Sequence, residues 1–297
     1  DTIARDQAGI TPIQPLLKAI NGIQNLSDLQ TVYASTIGVS APFAGIGANA
    51  DLNDSSTNTA WVYPGGLGLQ RDYYVDQDDK TKEIRQQYVA HVARMFEFIN
   101  YSKEDAQAAA EKVLTLETQL ATPRLDKVQS RDIRNFNNPK SVQELNAMTP
   151  AIDWNKFMKD LGVSQIPEQV LVMQPKYMAE LNTFLSSTPV EDLKTLMTWS
   201  TLDNAADYLT TEIEEANWDF YSKTLRGAKV QRDAQERALG TVNGTVGEAI
   251  GKLYVEAKFP PEAKAKAEKM IANVIKAFQL RIEKLDWMGE ETKAKAI

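Results

Sequence analysis

Thr188-Pro-Val-Glu-Asp-Leu-Lys-Thr-Leu-Met-Thr-Trp-Ser-Thr-Leu-Asp-Asn-Ala205 opens with a capping-box pattern and a proline at the first helical position, which together mark a helix start. Leu193, Leu196, Leu202, Ala205, Leu209, Ile213, Ala216 and Phe220 then recur at helical spacing toward Gly227. The pattern predicts one long helix or two nearly collinear ones. The same period runs through most of the chain. Ser27-Asp-Leu-Gln30 reads as a capping-box start, with Leu29, Val32, Tyr33 and Ile37 on one face before Gly38. Residues 80–100 align Ile84, Tyr88, Val92, Phe96 and Ile99, and Ser102 opens a helix lined by Ala106, Ala109, Val113, Leu116 and Leu120. A last helix starts at Pro260-Pro261 and carries Ala267, Ile271, Val274, Phe278, Ile282 and Leu285. The expected fold is mainly α, a multi-helix domain with long helices.

One stretch breaks the period. From Gly38 to Tyr74 there are six glycines, two prolines and the polar run Asn53-Asp-Ser-Ser-Thr-Asn58. Val39, Ala41 and Phe43 alternate before that run, and Ala60-Trp-Val-Tyr63 follows it. This predicts a small two-stranded β-hairpin over about residues 38–63, inside an irregular segment 38–75. Asn137-Asn138-Pro139 and Gly162 to Pro167 read as loops within a domain.

Composition narrows the function. The 297 residues carry 33 Lys and Arg against 40 Asp and Glu, a net charge of −7, with one histidine and no cysteine. Absent cysteine excludes disulfides, thiolate metal sites and thiol catalysis. An acidic balance argues against a nucleic-acid partner. The longest uncharged run, residues 29–50, is broken by Gln30, Pro42, Asn49 and three glycines, so no transmembrane segment is expected. The charged start and the stop at Lys293-Ala-Lys-Ala-Ile297 read as the bounds of an internal piece of a longer protein.

No local motif in the sequence completes a catalytic or metal site. His91 lies mid-helix with no carboxylate or second histidine at helical spacing; a partly buried or surface side chain is expected. Glu215-x-x-x-Asp219 sets two carboxylates one turn apart, but a zinc site would need a His-Glu-x-x-His helix beside it. A solvated face is the better reading. Asp76-Gln-Asp-Asp79 resembles an EF-hand start but has Thr81 where glycine is required and Gln87 at the closing position, so a helix N-terminus is expected. Gly65-Gly-Leu-Gly-Leu69 lacks the spacing and context of a phosphate loop. Asn25, Asn53, Asn100 and Asn243 begin glycosylation-type triplets, which carry meaning only in a eukaryotic secretory setting.

Local blocks go further. Thr241-Val-Asn-Gly-Thr-Val-Gly-Glu-Ala-Ile-Gly-Lys-Leu-Tyr-Val-Glu-Ala-Lys-Phe259, Leu285-Asp-Trp-Met-Gly-Glu-Glu-Thr-Lys293 and Gly66-Leu-Gly-Leu-Gln-Arg-Asp-Tyr-Tyr74 closely resemble segments of the neprilysin / endothelin-converting-enzyme family of zinc metallopeptidases. Leu116-Glu-Thr-Gln-Leu-Ala121, Pro150-Ala-Ile-Asp-Trp154 and Leu196-Met-Thr-Trp199 fall in the family's order. The resemblance covers the chain from about Pro15 onward. Gly289 departs from the family's aspartate at a helix cap. Members of the human type are disulfide-rich, so a bacterial oligopeptidase-type member is the better fit.

The resemblance implies a partial neprilysin-like fold: residues 1–297 as the incomplete N-terminal, mainly helical half that caps the active site. The catalytic zinc domain, with its His-Glu-x-x-His pair, would lie outside this chain. No catalytic, metal or cofactor-binding residue is expected within it. Zinc belongs to the parent enzyme, a metalloendopeptidase acting on oligopeptides, and this chain alone should be inactive and bind none. Its partners would be the missing catalytic half and the parent's oligopeptide substrates. Its surfaces toward that half should be unusually apolar. An extracytoplasmic location (bacterial periplasm, cell surface or secreted) is implied by the same resemblance. The competing reading is a self-standing helical binding or scaffold protein derived from such a peptidase.

Overall fold

Side-chain caps and apolar stripes set the helices of the computed structural model, which describes residues 2–297. Two compact units emerge, one reaching to Lys229 and the other spanning Val230–Ile297. The first begins with α1 (Thr2–Ala8), α2 (Gln14–Asn21) and α3 (Leu26–Thr36). Asn25 caps α3 by accepting the Asp28 N–H at 3.0 Å, so this helix starts before the Ser27 box that the sequence suggests. Strands β1 (Ala44–Ala50) and β2 (Asn58–Pro64) follow, then α4 (Arg71–Val75), α5 (Asp79–Glu97) and α6 (Lys103–Ala121). Asp78 and Ser102 cap α5 and α6. Next come β3 (Pro139–Ser141), α7 (Val142–Met148), α8 (Trp154–Asp160), β4 (Gln169–Val172) and α9 (Pro175–Ser187).

The stretch after Thr188 forms two helices, α10 (Val190–Ala205) and α11 (Thr211–Trp218). Pro189 takes the cap position itself, so no Thr188 capping box forms. Leu209 turns extended and Thr210 caps the second helix by accepting the Ile213 N–H at 3.3 Å. The chain then widens into a π-helical turn, Asp219–Thr224, and stops near Gly227, whose φ of 77° suits glycine. The apolar stripes of α5, α6, α9 and α10 meet in one core, where Tyr88, Phe96, Tyr177 and Trp199 are fully buried.

The hairpin is present, but it belongs to a four-stranded sheet in the order β1-β2-β4-β3. Strand β1 pairs antiparallel with β2, β2 pairs parallel with β4, and β4 pairs antiparallel with β3. The strand begins at Ala44, so the whole of the expected Val39–Phe43 alternation lies before it. Segments β3 and β4 hold three and four residues, too few to show a period in sequence. Gly65 closes the hairpin: its N–H donates to the Phe43 carbonyl at 3.1 Å, and a Cβ there would lie 2.3 Å from the Ala41 oxygen.

The second unit holds α12 (Ala234–Lys258), α13 (Pro261–Glu283) and α14 (Glu290–Ala296). Helix α13 starts at Pro261 as the sequence predicts, and α12 kinks at Val246. Gly289 caps α14 without a side-chain bond. No residue of these three helices is buried. Ile271, Val274 and Phe278 line the expected stripe of α13 and are all exposed.

Candidate functional site

Two features of the first unit could serve function: a buried polar cluster and a groove along the hairpin. The cluster centres on Glu117, which α6 carries on the same face as Val113 and Leu120. Its Oε2 accepts the Tyr88 hydroxyl at 2.6 Å and the Tyr74 hydroxyl at 2.8 Å, and its Oε1 accepts the Gly68 N–H at 3.0 Å. The Tyr88 oxygen in turn accepts the Trp199 indole N–H at 2.9 Å. Gly68 is glycine because a Cβ there would sit 1.9 Å from that oxygen. Burial raises the Glu117 carboxyl above its ordinary range, opposed by hydrogen bonds from Tyr88, Gly68 and Tyr74.

A second carboxylate lies close by. Asp203 on α10 accepts the Tyr221 hydroxyl at 3.1 Å through Oδ2, while its enclosed Oδ1 has no partner. Burial first, then the Glu117 charge, push it up to about 8. The residue is half-buried overall, yet the carboxylate faces inward. Such shifts occur at catalytic sites, but neither carboxylate lines the groove. The arrangement acts as a core anchor that ties α4, α5, α6 and α10 together.

The groove has a volume of about 600 Å³, within the usual range of ligand pockets. Gly45, Ile46 and Ala48 of β1 and Tyr63 of β2 form one side, with Met158 and Leu161 opposite. Tyr63 is its single ionisable lining residue. The groove can therefore receive a molecule through shape and backbone groups, but it offers no acid–base pair.

The residues weighed in the sequence scatter. His91 is fully within the core, stacked 4.8 Å from Phe220 with Trp199 and Tyr221 edge-on. Burial, then the Arg94 charge, hold its pKa down to about 3, so it is neutral near pH 7 and its Nε2 has no partner. Between about pH 6.5 and 3 the unfolded chain binds a proton that the native state refuses. Stability from this residue is complete above 6.5 and lost as pH falls. Comparing His91→Phe with the parent chain, the difference in unfolding free energy should move in the variant's favour by about 2 kcal/mol from pH 7 to pH 5. Urea titrations at the two pH values would show this, and an unchanged difference would refute a buried neutral imidazole.

Glu215 is exposed on α11, and Asp219 pairs with Lys223 at 2.7 Å, so this pair meets solvent. Asp78 is a helix cap, accepting the Thr81 N–H at 3.0 Å. Among the described residues no three of His, Asp and Glu gather to hold a metal ion. A zinc site does not fit His91, which is enclosed by aromatic rings. No helix of the described residues is long and apolar enough to cross a membrane. Sequence reading passed over Glu117 and Asp203. Their signal was a charged residue on an apolar stripe, beside Val113 and Leu120 in one helix and one turn beyond Trp199 in the other.

The first unit thus sets its helices around a small four-stranded sheet with a groove along the hairpin. Residues 1–297 match the model of the N-terminal part of peptidase family M13, and the chain belongs to that family. Endothelin-converting enzyme 1 of Bos taurus is 25% identical over 277 residues, covering 92% of this chain and 36% of that protein. The crystal structure of Mycobacterium tuberculosis zinc metalloprotease ZMP1, in complex with an inhibitor, matches with a TM-score of 0.90 and 27% identity, over 100% of this chain and 45% of that one. PepO from Lactobacillus rhamnosis shares the fold with a TM-score of 0.85 at 20% identity, over 47% of its chain. This chain thus spans less than half the length of these relatives. The neprilysin-type resemblance and the mainly helical fold read from sequence are both borne out.

Proposed function

We propose that this chain is the helical, active-site-capping half of a zinc-dependent metalloendopeptidase that hydrolyses oligopeptides, with zinc and the catalytic groups on residues outside it. The observation that carries this is the second unit. Helices α12 and α13 expose Val242, Leu253, Tyr254, Ile271, Val274 and Phe278, an extent of apolar surface that soluble proteins normally cover. Amphipathic helices draw most of their stability from a packed face, and in this reading the remaining half of the protein supplies the packing. The first unit contributes walls and exclusion of water, which need packed helices and no reactive groups. An extracytoplasmic location belongs to the same proposal and rests on likeness to the family.

The test compares residues 1–297 with the whole gene product, using a fluorescence-quenched oligopeptide with zinc present. The whole protein should cleave it in a chelator-sensitive way, and residues 1–297 should not. Stoichiometric, tight zinc binding or cleavage by residues 1–297 would overturn the reading. A gene product that ends near Ile297 and cleaves nothing would favour the scaffold alternative.

A further inference from the structure

Strand β1 lies at the edge of the sheet, and its backbone groups point alternately toward β2 and away from it. The Gly65 N–H donates to the Phe43 carbonyl at 3.1 Å and the Asp51 N–H to the Thr57 carbonyl at 2.9 Å. In an antiparallel pair inward and outward residues alternate. The odd-numbered residues from 43 to 51 therefore turn toward β2, and Ala44, Ile46, Ala48 and Ala50 turn outward. Both ends of this outer edge are closed by side chains. The Tyr33 hydroxyl donates to the Ala44 carbonyl at 2.6 Å and accepts the Ala44 N–H at 3.0 Å. The Ala50 N–H donates to Asn49 Oδ1 at 2.9 Å, and the Ala50 carbonyl accepts the Trp61 indole N–H at 3.2 Å. Between these closures Ile46 and Ala48 have no backbone partner among the described residues.

We propose that this window binds the main chain of an extended oligopeptide as a fifth strand, through the N–H and C=O groups of Ile46 and Ala48. Residues i and i+2 of a strand stand about 7 Å apart, the repeat of an extended peptide. Edge strands are ordinarily blunted by lysine, proline or a bulge; β1 reads Ala-Gly-Ile-Gly-Ala-Asn-Ala and carries none of these. Closure at Ala44 and Ala50 limits pairing to a short segment, which suits a peptide better than open-ended strand stacking. The neighbouring groove, walled by Met158 and Leu161, offers space for alternate side chains of such a strand. Charge adds a direction. Residues 38–70 contain Asp51 and Asp54 and no lysine or arginine, and hydrogen bonds from Ser56 keep the Asp54 carboxyl below its ordinary range. The favoured peptide is therefore basic at the end nearest the hairpin tip. That the occupant is an oligopeptide rests on the proposed peptidase reading; the unpaired edge does not.

The probe is the blocked peptide acetyl-Arg-Val-Thr-Val-Thr-Val-amide, titrated into residues 1–297 without zinc, with amide exchange followed at each residue. Exchange should slow at Ile46 and Ala48. Two N-methylated versions, at residues 2 and 4 or at 3 and 5, should behave oppositely. One should lose about tenfold in affinity, the scale of a lost hydrogen bond or two, and the other should stay near the parent. Ala48→Pro removes an outward N–H and leaves the β1–β2 ladder intact, so it should weaken binding by a similar factor with the remaining amide spectrum unchanged. Equal binding by both N-methylated peptides, or full affinity in Ala48→Pro, would overturn the proposal. So would slow exchange at Ile46 and Ala48 in the peptide-free whole protein, which would mean that another part of the chain fills the edge. Binding is read here without hydrolysis, so failure of this test and failure of the peptidase assay remain separate results.

Discussion

Replacing Glu117 by alanine should cost the first unit about 3–5 kcal/mol, because it strands several buried donors at once. The Tyr74 and Tyr88 hydroxyls and the Gly68 N–H all end on this carboxylate. Without it, Tyr88 also loses the fixed orientation in which its oxygen accepts from Trp199. Truncation also leaves a void among buried side chains, and the transfer and cavity costs add. Urea unfolding followed by tryptophan fluorescence, sensitive to Trp199, would measure the loss. Glu117→Gln keeps shape and one acceptor but turns an amide N–H₂ toward donors, so it should fall between the two. A loss below about 1 kcal/mol in the alanine variant would show that the cluster is incidental to stability.

Asp203→Asn should stabilise the protein at alkaline pH and do little at acid pH. The Asp203 carboxyl has an ordinary value of 3.8 and is pushed up to about 8 in the folded chain. From about pH 4 to pH 8 the native state therefore holds a proton that the unfolded state has released. Stability falls as pH rises through that window, by at most about 1.4 kcal/mol per pH unit, and levels off above 8. Asparagine can still accept the Tyr221 hydroxyl but carries no charge to desolvate. Moving from pH 5 to pH 8, the variant should gain on the order of 2 kcal/mol over the parent, a figure discounted because Asp203 is half-buried and water screens part of its charge. Denaturation curves at both pH values provide the check, and a constant offset would refute the shift. His91 acts with the opposite sign between about pH 3 and 6.5. From about pH 4 to 6.5 the two slopes oppose each other, so their joint contribution varies less with pH there than that of His91 alone.

Legibility in the sequence followed locality. Helices α5, α6 and α13 were readable because their stripes and starts lie within one or two turns of each other. The break between α10 and α11 was half readable: the period continues past Ala205, but Thr210 is a cap only because Leu209 adopts an extended conformation. Strands β3 and β4 were not readable, since each is stabilised by a distant partner and not by its own pattern. The groove escaped for the same reason, its two walls coming from segments that the sequence separates widely. The apolar stripe of α13 was read correctly as a stripe, while its exposure here could be seen only in three dimensions.

From the sequence alone came the helical period, the exclusion of thiol chemistry, and the blocks around Leu253-Tyr-Val255 and Trp287-Met288 that pointed to the peptidase family. These are properties of neighbouring residues or of composition, and they survive without knowing the fold. Tertiary structure decided the four-stranded sheet, the raised carboxyls of Glu117 and Asp203, and the open window on β1. Each depends on what is brought close or kept from water. Tyr88 and Trp199 meet across 111 positions of chain, and a carboxylate changes its proton affinity only when the surrounding helices remove its solvent.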